Sequence, residues 1–199
     1  MSVNLQKGQK VNLRKNDKEE LKRVMVGLGW DEVQQKRGLF GFLTPQQDID
    51  CDASAILCKR GKLGEFKSDV VFYNNLRHYS GAVVHQGDNL TGAGDGDDEQ
   101  IFVDLGTLPS DYDRIVFVVT IYQAVERKQH FGLIENAFIR ICDASNGSEF
   151  CKFNLSENYQ GKTAMIVGEM VKVDGEWKFN AIGQPTNDNG ILDIAKRFA

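Results

Sequence analysis

An acidic, glycine-rich run between residues 87 and 99 carries the clearest chemistry in this sequence. It contains no basic residue, and its five carboxylates belong to Asp88, Asp95, Asp97, Asp98 and Glu99. Carboxylates this close together repel one another unless a cation lies among them, and hard divalent cations prefer oxygen ligands. The glycines allow the backbone to fold back so that carbonyl oxygens can join the carboxylates. The run therefore indicates a calcium-type binding loop.

A second acidic element runs from Asp48 to Ser54, and acidic residues alternate with apolar ones along it. If it enters a β-strand, the period of two places Asp48, Asp50 and Asp52 on one face of that strand. Three stacked carboxylates would weaken a strand unless a cation or a basic partner compensated for them. We therefore expect this element to supply the same cation site, and an acidic strand end in solvent is the alternative.

The acidic run is not an EF-hand loop. In a twelve-residue frame from Asp88 to Glu99, Leu90 and Gly92 stand at ligand positions and Ala93 replaces the turn glycine. A site built from two loops at one end of a β-sandwich fits these residues better than a helix–loop–helix.

Patterns that would indicate catalysis are weak. The glycine spacing does not match a P-loop, and there is no Gly-x-Ser-x-Gly motif. His78, His85 and His130 show no helical pairing that would favour zinc. We therefore expect a protein that is not an enzyme. The enzymatic alternative is a metal-dependent hydrolase that uses the same acidic cluster, although the sequence offers no separate general base.

Composition narrows the class of protein further. The net charge of -4 argues against binding to nucleic acid, which requires a basic face. The first residues contain no apolar signal-peptide core, and no stretch approaches the length needed to span a bilayer. We expect a cytoplasmic protein.

The strands that must position these acids are predicted from period-two apolar runs bounded by turn residues. The predicted strands are Lys10–Leu13, Arg23–Gly29, Asp52–Cys58, Asp69–Tyr73, Ala82–Gln86, Gln100–Leu105, Arg114–Gln123, Asn136–Asp143, Glu149–Asn154, Thr163–Val173 and Glu176–Ile182. Asp174-Gly175 predicts a tight hairpin turn between the last two. Helical periodicity is confined to the end of the chain, where Ile191, Ile194, Ala195 and Phe198 form an apolar stripe.

These elements predict an all-β fold, a two-sheet antiparallel β-sandwich with a short C-terminal helix. We expect residues 1–199 to form a single domain of this kind, because 41% of the residues are hydrophobic, enough for a sizeable core. The segment Glu32–Gln47 is predicted to be an ordered loop with apolar anchors, either packed on its own domain or exposed as a contact patch.

The chain has four cysteines and no CxxC pair, so buried free thiols are the default interpretation. If Asn146 and Gly147 formed a two-residue hairpin turn, however, Cys142 and Cys151 would stand directly opposite each other. That register would permit a redox-sensitive disulfide, whereas a reducing cytoplasm favours free thiols.

Several blocks of sequence occur in a fixed order along nearly the whole chain. They are Leu5-x-Lys7-Gly8-Gln9-x-Val11-x-Leu13, Val26-Gly27-Leu28-Gly29-Trp30-Asp31, residues 48–54, residues 87–92 with 96–99, Phe131-Gly132, Asn136-Ala137-Phe138-Ile139-Arg140 and Glu176-Trp177-Lys178-Phe179. In these blocks the chain resembles the TerD family of tellurite-resistance and general stress proteins. It departs from the family pattern at Ile49 and Cys51, where Phe and Leu are usual.

The resemblance implies a β-sandwich that binds calcium at acidic loops and has no established catalytic activity. The implied ligands are Asp88, Asn89, Thr91, Asp97, Asp98 and Glu99, with Asp48, Asp50 and Asp52, and with Asp31 as a further ligand. Family members are linked to chemical and oxidative stress and to membrane-associated stress complexes. We therefore expect a sensor or scaffold that binds one or two calcium ions and acts through protein or membrane partners. Calcium-bridged binding to an anionic membrane is a third possibility.

Overall fold

A computed structural model of the protein describes residues 2–16, 19–32, 49–87, 96–155, 157 and 159–199. The described strands form two large sheets that pack face to face, so the predicted β-sandwich is confirmed. Of the segment Glu32–Gln47, predicted to be an ordered loop, Glu32 ends a strand and residues 33–47 lie outside the described residues.

Within the described residues, the first sheet has six strands. They are β1 (Val3–Leu5), β5 (Arg23–Glu32), β9 (Val83–His85), β10 (Glu99–Asp104), β12 (Ile134–Asp143) and β13 (Glu149–Asn154). Their order across the sheet is β1-β13-β12-β5-β10-β9. Neighbouring strands are antiparallel except β1, which runs parallel to β13.

The second sheet is built on four long strands with shorter strands at its edges. Its members are β2 (Lys10–Asn12), β6 (Cys51–Lys59), β7 (Lys62–Leu63), β8 (Val70–Val71), β11 (Tyr112–Ile121), β14 (Ala164–Val173) and β15 (Glu176–Thr186). The order is β2-β15-β14-β11-β6-β7, and β8 also pairs with β6. A small separate hairpin joins β3 (Arg14–Asn16) to β4 (Glu19–Glu20).

Helices are short in the described part of the chain. They are α1 (Phe66–Asp69), α2 (Ala124–Arg127), α3 (Ile191–Ala195) and the 3-10 turns Phe131–Leu133 and Lys196–Phe198. None of these helices has the length and apolar character needed to cross a membrane. The predicted C-terminal stripe is confirmed, because its four apolar side chains are buried against the outer face of the second sheet.

Alternation along the strands decides which side chains enter the core between the sheets. In β10, Glu99, Ile101 and Val103 are buried, and the residues between them are partly exposed. In β6, Cys51, Ala53, Ala55 and Leu57 belong to the core between the sheets, while Ile56 and Cys58 pack on the outer face with α3.

Two hairpins test the turn predictions. Asp174 and Gly175 both have positive φ, at 54° and 85°, as a two-residue turn between β14 and β15 requires. The conditional register at Asn146-Gly147 does not occur, because a register shift in the β12–β13 ladder pairs Ile141 with Cys151 and Cys142 with Glu149. Cys142 and Cys151 therefore do not stand opposite each other, and all four cysteines are buried free thiols.

The acidic run connects two neighbouring strands of the first sheet. β9 ends at His85 and β10 begins at Glu99, so both ends of the run lie at the same end of the sandwich. We call this the loop end. Residues 88–95 lie outside the described residues.

Candidate functional site

Asp98 lies at the loop end, where two hydrogen bonds hold it against β5. Its N–H donates to the carbonyl oxygen of Leu28 at 2.8 Å, and its Oδ2 accepts the N–H of Trp30 at 2.8 Å. Burial raises the pKa of Asp98, the Trp30 N–H opposes that rise, and the carboxylates of Asp31 and Asp97 add to it. Asp98 is therefore a half-buried carboxylate held close to two others.

Asp31 is exposed near the end of β5 and is oriented by β12. The side-chain amide of Asn136 donates to Oδ2 of Asp31 at 2.7 Å. Asn136 has a φ of 52°, and it lies where the β12–β5 ladder shifts register between Glu135 and Phe138. Such bulges re-aim side chains, and here the bulge brings an amide to the predicted ligand.

The Asp97 carboxylate is bound by an arginine. Arg140 on β12 donates from Nε to Oδ1 at 2.7 Å and from Nη2 to Oδ2 at 3.0 Å. Gln100 Nε2 donates to Oδ2 at 3.2 Å, and the Asp97 side chain has no exposed surface. The structure therefore places this predicted ligand in a bidentate ion pair on the outer face of the first sheet.

Two glycines of β5 make room for this arrangement. A Cβ atom on Gly27 would lie 2.3 Å from the Asp97 carboxyl group. A Cβ atom on Gly29 would lie 2.6 Å from the Phe138 ring and 2.7 Å from the carbonyl oxygen of Gly96. Both glycines are needed because the chain at residues 96–97 lies directly on the strand.

Glu99 faces the core between the sheets. Its Oε2 accepts the N–H of Ala53 on β6 at 2.5 Å and lies 3.4 Å from Nε2 of His85. Nδ1 of His85 accepts the N–H of Gly87 at 3.1 Å, and Nε2 lies 3.2 Å from the carbonyl oxygen of Ala53. Glu99 and His85 therefore tie the two ends of the acidic run to one residue of the second sheet.

Asp50 and Asp52 lie at the start of β6, at the loop end of the sandwich. Asp50 Oδ2 is 4.0 Å from Nη1 of Arg127, and the Asp50 carbonyl accepts the N–H of Tyr122 at 2.8 Å. Asp52 is 5% exposed, pairs with Thr120 on β11 and lines a small pocket of about 230 Å³. Strand alternation places Asp52 on the outer face of the second sheet, opposite the face that Ala53 turns to the core.

The structure thus brings Asp31, Asp97 and Asp98 together but leaves Asp50 and Asp52 on another face. The predicted ligands Asp48, Asp88, Asn89, Thr91 and Asp95 lie outside the described residues. Within residues 2–16, 19–32, 49–87, 96–155, 157 and 159–199, no group of three His, Cys, Asp or Glu side chains is arranged to hold a metal ion.

A cleft of about 750 Å³ opens beside Asp31 among the described residues. Trp30, Ile134, Phe138 and Leu155 supply its apolar lining. The cleft gives solvent and ions a path to the exposed carboxylate of Asp31.

Comparison with models of known protein families gives a match. The family model described as the TerD domain matches residues 1–198 of this chain. The chain belongs to the TerD family. Stress response protein SCP2 of Bacillus subtilis (strain 168) is 47% identical over 200 residues, which cover 100% of each chain. Tellurium resistance protein TerD of Serratia marcescens is 46% identical over 185 residues, covering 92% of this chain and 91% of that protein.

Solved structures agree with the fold. The crystal structure of a homologue of telluride resistance protein (TerD) from Streptomyces coelicolor A3(2) has a TM-score of 0.65 at 21% identity, covering 89% of this chain and 98% of that chain. At this identity the likeness shows the fold alone. These relatives are named for stress response and tellurium resistance, and the names do not describe a reaction.

Residues that the sequence prediction missed as parts of this site are Arg140, Asn136, Gly27 and Gly29. All four lie in the sequence blocks in which the chain resembles the TerD family, and that resemblance was the signal that could have identified them. Their roles follow only from the register of β12 against β5, which pairs Arg140 directly with Gly27.

Proposed function

We propose that this TerD protein is a non-catalytic stress-response protein that binds one or two calcium ions at its loop end and acts through partners. The observation that carries the proposal is the position of Asp98. It is half-buried and tethered to β5, and both Asp31 and Asp97 raise its pKa. Added positive charge would relieve this repulsion.

The chemistry of the donor groups supports calcium. Asp31 and Asp98 offer carboxylate oxygens, and Asn136 adds an amide beside them. These are hard oxygen ligands of the kind that calcium prefers. Asp88, Asn89, Thr91 and Asp95 of the acidic run would complete such a site, with Asp48, Asp50 and Asp52 as candidates for a second ion.

Binding of calcium would do two things at this end of the molecule. It would remove the repulsion that destabilises ionised Asp98, and it would hold the acidic run against the sandwich. A surface that changes with calcium occupancy can serve as a docking site for a protein partner or an anionic membrane. The relatives' names connect such a role with stress response and tellurium resistance.

A non-catalytic role is supported by the engagement of His85. Of the described histidines it lies nearest in sequence to the acidic run, but Nδ1 accepts from Gly87 and Nε2 faces the carbonyl oxygen of Ala53. Neither nitrogen is directed at the carboxylate of Asp98. A hydrolase would need a general base near its metal-bound water.

Calorimetric titration with calcium tests the proposal. We expect saturable heat for the wild type, and affinity at least about tenfold weaker for Asp98→Asn because a charged ligand is lost. Asp193→Asn is the matched control, since Asp193 lies in α3 and pairs with Lys196 at the surface. The absence of calcium binding by the wild type, or equal affinity in Asp98→Asn, would contradict the proposal.

Two further assays on the same samples separate the alternatives. Turnover of a phosphoester with Mg²⁺ or Mn²⁺ that Asp98→Asn abolishes would establish the hydrolase instead. Calcium-dependent co-sedimentation with acidic liposomes would identify the membrane as the partner, and calcium binding without co-sedimentation favours protein partners.

A further inference from the structure

The ion pair between Arg140 and Asp97 bears on which residues at the loop end can bind calcium. Both oxygens of Asp97 accept from the guanidinium, at 2.7 and 3.0 Å, in the fork geometry that makes arginine–carboxylate pairs strong and specific. The Asp97 side chain is fully buried beneath this contact. A metal ion that bound both oxygens of Asp97 would have to displace Arg140.

Neighbouring residues among those that the structure describes hold the ion pair in place. The Asp97 carboxyl group packs directly on Gly27, where any Cβ atom would collide with it. Gln100 donates to Oδ2 at 3.2 Å. Behind Arg140, Nη1 lies 3.5 Å from Glu149 Oε2, and the other oxygen of Glu149 accepts from Ser2 at 2.5 Å. Arg140 is therefore fixed on the sheet independently of the acidic run.

We infer that Asp97 is an internal anchor instead of a calcium ligand, and that Arg140 is the positioning residue of the calcium site. The inference rests on the proposed function. Residue 97 is held by Arg140, so the next residue, Asp98, faces the N–H of Trp30 beside Asp31. Arg140 thus sets the place of a carboxylate that it does not itself contact.

The alternative is competition, in which Arg140 occupies Asp97 until calcium takes its place. The two interpretations predict opposite signs. If Arg140 is the anchor, its loss frees residues 96–98 and weakens calcium binding. If Arg140 competes with calcium, its loss makes a ligand available and strengthens calcium binding.

Calcium calorimetry on Arg140→Gln, Asp97→Asn and the double variant decides between them. We expect each single variant to lower calcium affinity about tenfold, as losses of groups that orient ligands do. The calcium affinity of the double variant should be no lower than that of either single variant, because the two substitutions remove the same ion pair. Unchanged or increased affinity in Arg140→Gln, or a much larger loss in Asp97→Asn than in Arg140→Gln, overturns the inference.

Arg114→Gln is the matched control. Arg114 forms a similar ion pair on the second sheet, with Nε at 2.6 Å from Glu169 Oε2, and both arginine side chains are 29% exposed. We expect its calcium affinity to equal that of the wild type. An equal loss of affinity in Arg114→Gln would mean that any broken surface ion pair has this effect, and would overturn the inference.

A metal-independent measurement separates this inference from the proposed function. In calcium-free protein, hydrogen exchange at the amides of Trp30 and Asp98 reports whether residues 96–98 lie on β5. We expect faster exchange at both amides in Arg140→Gln and in the isosteric Asp97→Asn, and not in Arg114→Gln. Wild-type exchange rates in both variants would overturn the inference. Faster exchange in a protein that binds no calcium would support the anchor while the proposed function fails.

Discussion

Asp69 and Asp98 are both partly or fully buried, yet their pKa values shift in opposite directions. Burial raises the pKa of each carboxyl group. At Asp69, hydrogen bonds from the O–H of Tyr112 at 2.6 Å, the N–H of Glu65 at 3.0 Å and the O–H of Ser68 at 3.1 Å outweigh burial and lower the pKa. At Asp98, the Trp30 N–H is the only donor among the described residues that opposes burial, and two carboxylates act in the same direction as burial.

The comparison distinguishes a structural carboxylate from a binding carboxylate. Asp69 lies at the end of the sandwich opposite the loop end, in a network in which His78 Nε2 is 3.1 Å from the Tyr112 hydroxyl and His78 Nδ1 is 2.7 Å from Ser80 Oγ. The chain's own donors stabilise the ionised carboxylate of Asp69. Among the described residues, Asp98 has one such donor, the Trp30 N–H, so a cation from outside the chain is the natural complement of its charge.

Substitution of Asp69 should have the largest effect on stability. Asp69→Asn keeps the shape of the side chain but removes the charged acceptor of three hydrogen bonds, so we expect the free energy of unfolding to fall by about 2 to 3 kcal/mol. Urea denaturation in the absence of calcium measures this change. Asp193→Asn is the control, since Asp193 makes a surface ion pair with Lys196, and it should leave stability nearly unchanged. A loss no larger in Asp69→Asn than in the control would mean that this network does not stabilise the fold.

Acid should weaken the same network through His78. Burial lowers the pKa of His78 although Asp69 opposes the shift, so the unfolded chain binds a proton at higher pH than the folded chain does. The free energy of unfolding should therefore decrease as pH falls below about 6.5, by at most about 1.4 kcal/mol per pH unit, and should be unaffected by this group above that range. Urea denaturation between pH 5 and 8 in EDTA, for wild type and His78→Gln, measures this slope. The difference between the two proteins should shrink as pH falls, and parallel pH profiles would contradict the assignment.

Substitution of Asp98 should have the smallest effect, with the opposite sign to that of Asp69. Its raised pKa means that the ionised group opposes folding at neutral pH when no calcium is bound. Because Asn retains an oxygen for the Trp30 N–H, we expect Asp98→Asn to raise the free energy of unfolding by about 0.5 kcal/mol after allowance for solvent screening. Urea denaturation in EDTA measures it, and a clear destabilisation would show that Asp98 is structural like Asp69.

The sequence predicts the architecture well because strand alternation is a local signal. The strand at 149–154 has the predicted bounds, and the hairpin at Asp174-Gly175 has the predicted backbone. The same rule also predicts the position of Glu99. This residue continues the alternation of Ile101 and Val103, so its side chain lies in the core.

Register between distant strands could not be predicted in this way. A period of two says which residues of one strand share a face, but it does not say which residue of another strand stands opposite. The pairing of Arg140 with Gly27 and the shift at Ile141–Cys142 are both of this kind. The strand predicted at 69–73 also begins with the last residue of a helical turn, which places Asp69 beside Tyr112.

The double attachment at Ala53 has a thermodynamic consequence. Glu99 accepts its N–H and His85 faces its carbonyl oxygen, so the last residue of the acidic run and a residue just before the run are held at one residue of the opposite sheet. The entropic cost of closing that loop is met when the sandwich folds. A ligand that binds within the run does not bear that cost, and preorganisation of this kind leaves more of the interaction free energy for affinity.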